Sequence, residues 1–119
     1  MLDFLFVFLG GGIGASLRHF INLVLSKFNL PFATFGANII GCFILGYIYS
    51  SILRKYNIPP QLKLFLTVGF LGGLTTFSTF IQENFIFLKD EKIVYFLLYT
   101  LLSLCVGLLF FYFGYNLAK

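Results

Sequence analysis

Charge is what this sequence has least of. Only 10% of its 119 residues are Asp, Glu, Lys or Arg, while 60% are hydrophobic. Soluble chains carry about a quarter charged residues. A domain this short also leaves much of its surface in water. The scarcity excludes a water-soluble fold and points to lipid as the solvent. Acid is scarcer than base, four residues against eight, and the four are scattered. With one histidine and no plausible partner for it, the parts of a hydrolytic site are missing. Cys42 and Cys105 each lie inside an apolar run, with no metal-ligand spacing and no disulfide framework, and read as small packing residues. The glycines near the N-terminus lack the Lys and Ser/Thr of a phosphate loop.

The net charge of +4 does not mark a nucleic-acid protein. Arg54, Lys55, Lys63, Lys89, Lys92 and Lys119 stand at or near the ends of apolar runs, where headgroups lie. No basic run alternates with aromatics, so no nucleic-acid partner is expected. The partner implied is the lipid bilayer.

Four apolar runs are present, roughly 4–25, 32–53, 62–88 and 93–118. Each reaches the ~20 residues a helix needs to cross a membrane. A helix is the one state that satisfies backbone groups in lipid without a closed barrel. The first run opens on Asp3 rather than a basic cluster and is followed by more apolar sequence, so it reads as a span and not a leader. The chain therefore reads as one all-α membrane domain over residues 1–119, a multi-pass protein of the plasma membrane, and its Phe-, Ile-, Leu- and Lys-rich composition is compatible with a low-GC bacterium. Four spans put both termini on one side. Arg54, Lys55, Lys63 and Lys119 fall on that side, and Lys27, Lys89 and Lys92 on the other. So small a bias sets no orientation by the positive-inside rule, and insertion both ways up is expected.

Small residues crowd the first two runs: Gly10, Gly11, Gly12, Gly14, Ala15 and Ser16, then Gly36, Ala37, Gly41 and Gly46. They suit close helix packing and an oligomer. The third run is interrupted. Gly72-Gly73 followed closely by Thr75-Thr76 makes a poor helix interior, and a break is expected near 72–76. Unwound backbone at membrane depth survives only where protein or a polar cavity satisfies it, and it often binds ions.

Several polar residues need partners. Arg18 either snorkels or attracts anions in a vestibule. Asn38 makes a helix–helix hydrogen bond or donates to an anion. Phe77 and Phe80 share a helix face beside Thr76, Ser78 and Thr79, and positive ring edges with hydroxyls can border an anion. Tyr99, Ser103 and Gly107 form a stripe on the fourth run. Glu83 pairs with a basic residue or guards a pore end.

Three stretches, residues 11–18, 35–41 and 69–80 (Gly69-Phe70-Leu71-Gly72-Gly73-Leu74-Thr75-Thr76-Phe77-Ser78-Thr79-Phe80), resemble the signature of the Fluc/CrcB family of fluoride channels. The third is the most specific. The resemblance implies a passive fluoride channel built as an antiparallel, dual-topology homodimer, or a heterodimer with a homologous chain. It implies a fluoride pathway through Asn38, Phe77, Ser78, Thr79, Phe80, Tyr99 and Ser103, with Arg18 in a vestibule. It also implies a structural central sodium ion held by the backbone carbonyls of Gly72 and Thr75. Gly107 departs from the pattern, since another hydroxyl can continue the track there. A proton-coupled exporter of four short helices is the rival, but it needs a carboxylate within the first span, where only Asp3 is found. A structural subunit without transport is the third reading.

Overall fold

The computed structural model describes residues 1–28, 30–54 and 57–119, without the side chain of Leu53. The anchoring role expected of Lys55 lies outside the described residues. Among these residues every regular element is a helix. Four helical stretches are long and apolar enough to cross a membrane: Leu2–Leu25, Phe32–Ile52, Pro60–Lys89 and Ile93–Ala118. The first is α1 (Leu2–Leu25) and the last α6 (Ile93–Ala118). The second begins as α2 (Phe32–Ile48) and widens into a π-helical turn over Tyr49–Leu53.

The third span is built in pieces. Pro60 opens α3 (Pro60–Leu64) at its first turn, where no donor is missed. A π-helical stretch, Phe65–Leu71, leads into α4 (Gly72–Leu74). Thr75 (φ −91°, ψ 153°) and Thr76 (φ −147°, ψ 120°) are extended. Then α5 (Phe77–Lys89) completes the span. Gly72 itself keeps helical dihedrals, φ −63° and ψ −35°. The β-branched threonines, not the glycines, are the residues that leave the helical region, as their stiff side chains favour.

The turn between α5 and α6 is short. Lys92 N–H reaches back to the Phe87 carbonyl at 2.7 Å and Asp90 N–H to Ile86 at 2.9 Å. This closure needs one left-handed residue, and Glu91 takes it at φ 60°.

Glycine sets how close the spans come. A Cβ on Gly14 would collide with the Phe70 carbonyl, and one on Gly69 would lie 2.9 Å from the Val7 carbonyl. On the other side of the bundle a Cβ on Gly46 would meet the Phe111 carbonyl, and one on Gly114 the Phe43 carbonyl. Backbone therefore touches backbone in two pairings, α1 with the third span and α2 with α6. The buried core is small: Ala37, Ile48, Leu71 and Leu74. Large side chains such as Phe4, Phe8 and Leu108 stay outside. That inversion suits a chain whose solvent is lipid, where dispersion and close packing replace the hydrophobic drive between helices.

Candidate functional site

The extended pair Thr75–Thr76 organises the polar side chains at membrane depth. Asn38, from α2, grips the Thr76 backbone at both ends. Its Oδ1 accepts from Thr76 N–H at 2.8 Å, and its Nδ2 donates to the Thr76 carbonyl at 3.2 Å. One Nδ2 hydrogen remains for another acceptor. Thr76 caps α5: its Oγ1 accepts from Thr79 N–H at 3.3 Å and donates to Thr79 Oγ1 at 3.2 Å.

These bonds redirect the helix ladder. In a continuous helix the Thr76 N–H would serve the Gly72 carbonyl, and the Thr79 N–H the Thr75 carbonyl. Both donors are engaged elsewhere, on Asn38 and on the Thr76 hydroxyl. The Gly73 carbonyl accepts from Arg18 Nε at 3.0 Å, and the Leu71 carbonyl from Thr75 Oγ1 at 2.9 Å. Arg18, from α1, thus supports the third span directly. That contact crosses 55 residues of sequence and was not legible in spacing.

Two stripes run up α5. Thr76, Thr79 and Glu83 share one face with Arg18, His19, Asn22 and Thr34 around a cavity of about 260 Å³. Its charges are of both signs, the Arg18 guanidinium and the Glu83 carboxylate. Phe77 and Phe80 form the neighbouring stripe, with ring centroids 6.0 Å apart. They line a second cavity of about 460 Å³ with Asn38, Cys42, Gly72, Thr75 and Ser103. Phe80 also packs against Tyr99, with ring centroids 5.0 Å apart and planes tilted by 56°. Phe77 is 74% exposed, so most of its ring has no cover within one chain.

Glu83 receives two hydroxyls, Tyr99 at 2.8 Å and Thr34 at 3.1 Å. Among its described partners there is no basic residue, so of the two expectations for Glu83 the ion pair is not formed. Thr34 and Tyr99 are both buried. Thr34 was missed from the sequence, since a threonine in the first turn of an apolar helix carries no signal of its own. The Tyr99 hydrogen is spent on Glu83 here, so donation elsewhere requires Glu83 to release it.

Ser103 joins Asn38 in the wall of the larger cavity. Ser78 lines neither cavity; it is exposed, with its hydroxyl 3.4 Å from that of Thr76. At Gly107 the missing side chain is faced by α2. A Cβ there would lie 3.4 Å from Cys42 Sγ, so a thiol borders the gap in the stripe. No group of three or more His, Cys, Asp or Glu side chains that could hold a metal occurs among the described residues.

Residues 5–115 match the family model described as CrcB-like protein, Camphor Resistance (CrcB). The chain is 37% identical over 116 residues to fluoride-specific ion channel FluC 2 of Staphylococcus saprophyticus, covering 98% of this chain and 96% of that one. It is 38% identical over 122 residues to fluoride-specific ion channel FluC of Flavobacterium psychrophilum, covering 100% and 98%. With FluC of Campylobacter fetus it shares 43% identity over 114 residues, covering 92% and 88%.

Proposed function

The chain belongs to the CrcB-like protein family, and from that premise we propose that it is a passive, fluoride-selective channel and not an enzyme. Its relatives named above are bacterial fluoride-specific ion channels. The observation that carries the reading is the convergence of Asn38, Ser103 and the rings of Phe77 and Phe80 on one cavity, at the point where the third span leaves helical geometry.

Fluoride is small and strongly hydrated, so a pore must replace its water with donors. The free Nδ2 hydrogen of Asn38 and the hydroxyls of Ser103 and Thr79 supply them. The ring edges of Phe77 and Phe80 add weak positive fields without competing acceptors. Arg18 raises the local potential for anions at the smaller cavity. Tyr99 continues the track where Glu83 yields its hydrogen bond, and Ser78, outside both cavities, belongs to the path only where it runs along the exposed face of α5. Larger halides do not fit so narrow a line of donors. The membrane potential then drives fluoride outward with no coupled proton.

The reading includes an antiparallel dual-topology dimer and a broken third span whose carbonyls hold sodium. The Gly72 and Thr75 carbonyls suit that ion, because both have lost the donors a continuous helix would provide. Neutral oxygens without a carboxylate favour a monovalent cation over calcium. A two-fold axis beside them would bring four such oxygens together. The bound ion would supply a fixed positive charge at the centre of the assembly.

The test is fluoride efflux from liposomes holding the purified protein, read with a fluoride electrode. Rapid efflux driven by a potassium-valinomycin potential supports the channel. Efflux that requires a proton gradient would instead favour coupled transport through Glu83, and no efflux would leave a structural subunit.

A further inference from the structure

The second and fourth spans stay close to their ends. A Cβ on Gly46 would collide with the Phe111 carbonyl. Counting on by fours from Gly46 gives Ser50 and Arg54, and from Phe111 gives Tyr115 and Lys119. These four residues line a cavity of about 180 Å³. A water takes about 30 Å³ of liquid volume, so the notch has room for a phosphate group. Ser50 is buried and Lys119 exposed, so the notch runs from the packed crossing out to the surface. Arg54 Nη1 donates to the Tyr115 hydroxyl, and the guanidinium lies 5.6 Å from the centre of that ring. Tyr49 packs on the same ring with centroids 6.2 Å apart. A long cationic side chain is thereby held over one spot.

We propose that this notch binds the phosphate of an anionic phospholipid headgroup. The inference rests on the membrane setting and not on the channel reading. Charge is the first argument. Arg54 and Lys119 bring two cations, and no acidic side chain among the described residues lines the notch. The helix ends that meet here carry about half a negative charge each, which two full cations outweigh. Donors are the second. The guanidinium keeps N–H groups beyond the one given to Tyr115, and its planar fork matches phosphate oxygens in pairs. Having accepted from Arg54, the Tyr115 hydroxyl can still donate. Depth is the third. The notch stands at the ends of two spans, where headgroups lie. The last turns of α6 also expose Tyr112, Phe113 and Leu117, cover for a glycerol backbone and acyl chains. A free phosphate would use none of that apolar surface.

The notch differs from the other basic positions at the span ends. Lys27 and Lys92 each lie over one ring, Phe28 at 5.7 Å and Tyr95 at 5.8 Å. Neither shares a cavity described here with a second cation and two hydroxyls. A cation near an anionic membrane surface strengthens association about fivefold. Arg54 and Lys119 should each contribute at least that much to one bound lipid, and Lys27 and Lys92 should contribute nothing to it.

The experiment titrates the purified full chain, in a neutral detergent, with phosphatidylglycerol and reads bound lipid by native mass spectrometry. Phosphatidylcholine of the same chain length is the neutral comparison. Phosphatidylglycerol should bind more tightly than phosphatidylcholine. Arg54→Gln and Lys119→Gln should each weaken it about fivefold or more. Tyr115→Phe, which keeps the ring but not the hydroxyl, should weaken it less. Lys27→Gln and Lys92→Gln should leave it unchanged. If Arg54→Gln fails to assemble, Lys119→Gln, exposed at a helix end, still reads the notch. Equal binding of the two lipids overturns the proposal, because the paired cations then select nothing. Equal losses at Lys27 and Lys92 also overturn it, because the attraction is then spread over the surface. Full binding in both Arg54→Gln and Lys119→Gln does the same. Inorganic phosphate is added as a competitor. Displacement at concentrations matching those of a soluble short-chain phosphatidylglycerol would assign the notch to free phosphate and overturn the lipid.

Discussion

Asn38 and Thr76 are bound amide to peptide, with Thr76 N–H on Oδ1 at 2.8 Å and the Thr76 carbonyl on Nδ2 at 3.2 Å. The side chain replaces a neighbouring strand for one residue of extended backbone. It thereby allows the third span to leave helical geometry without exposing peptide groups to lipid. Asn38→Leu should remove both bonds and leave two peptide groups unpaired. Each such loss costs about 1–3 kcal/mol, so a loss of about 2–6 kcal/mol is expected. Thermal unfolding in detergent measures it, and fluoride flux should vanish with it. A variant with unchanged melting would show that the span does not depend on this grip.

The two rings of α5 give the second prediction. Phe77→Ile and Phe80→Ile keep most of the volume but lose the ring edges, so flux should fall at least tenfold, on the order of 1.4 kcal/mol or more in barrier. Phe80→Ile also forfeits the contact with Tyr99, whose centroid is 5.0 Å away. It should lower stability by about 1 kcal/mol more than Phe77→Ile, whose ring is largely uncovered within the chain. Normal flux in both, by fluoride electrode, would take the rings out of the pathway.

Arg18 holds the Gly73 carbonyl, and the proposed channel also draws on its charge. Arg18→Lys keeps a positive charge but lacks the guanidinium fork that reaches the Gly73 carbonyl. Arg18→Gln loses the charge. If charge is what matters, Lys retains most flux and Gln does not. If the bond to Gly73 matters, both lose stability by about 1–3 kcal/mol. Melting and flux measured side by side separate the two roles, and wild-type behaviour of both variants would deny each of them.

Glu91 is a non-glycine residue in the left-handed region, at φ 60°. That conformation costs an ordinary residue about 1–2 kcal/mol, offset in part by glycine's greater unfolded-state entropy. Glu91→Gly should therefore raise stability by about 0.5–1 kcal/mol without touching flux. A lowered melting temperature would mean that the Glu91 side chain contributes more than its backbone strain.

The dimer and its ion are tested by exchange. Tags at the C-terminus should appear on both faces of the membrane in one cell population. Replacing sodium with a bulky organic cation, with long equilibration, should lower dimer stability and flux. A single orientation would point to a homologous partner chain, and indifference to sodium would end the structural-ion idea.

The four spans, the irregularity in the third and the membrane setting were determined by sequence alone. Hydropathy over some twenty residues and the conformational bias of Gly72-Gly73 and Thr75-Thr76 are local properties, carried by neighbours along the chain. Local bias located the interruption only to a few residues. Both glycines tolerate helical dihedrals, and it took Asn38 to draw Thr76 into extended geometry. The pairings that make the site were decided by tertiary structure. Arg18 meets Gly73 across 55 residues, Thr34 meets Glu83 across 49, and Asn38 meets Thr76 across 38. No periodicity encodes these separations. They arise because small residues such as Gly14, Gly46, Gly69 and Gly114 let backbones touch, and that close approach is what brings short polar side chains of different spans within hydrogen-bond reach.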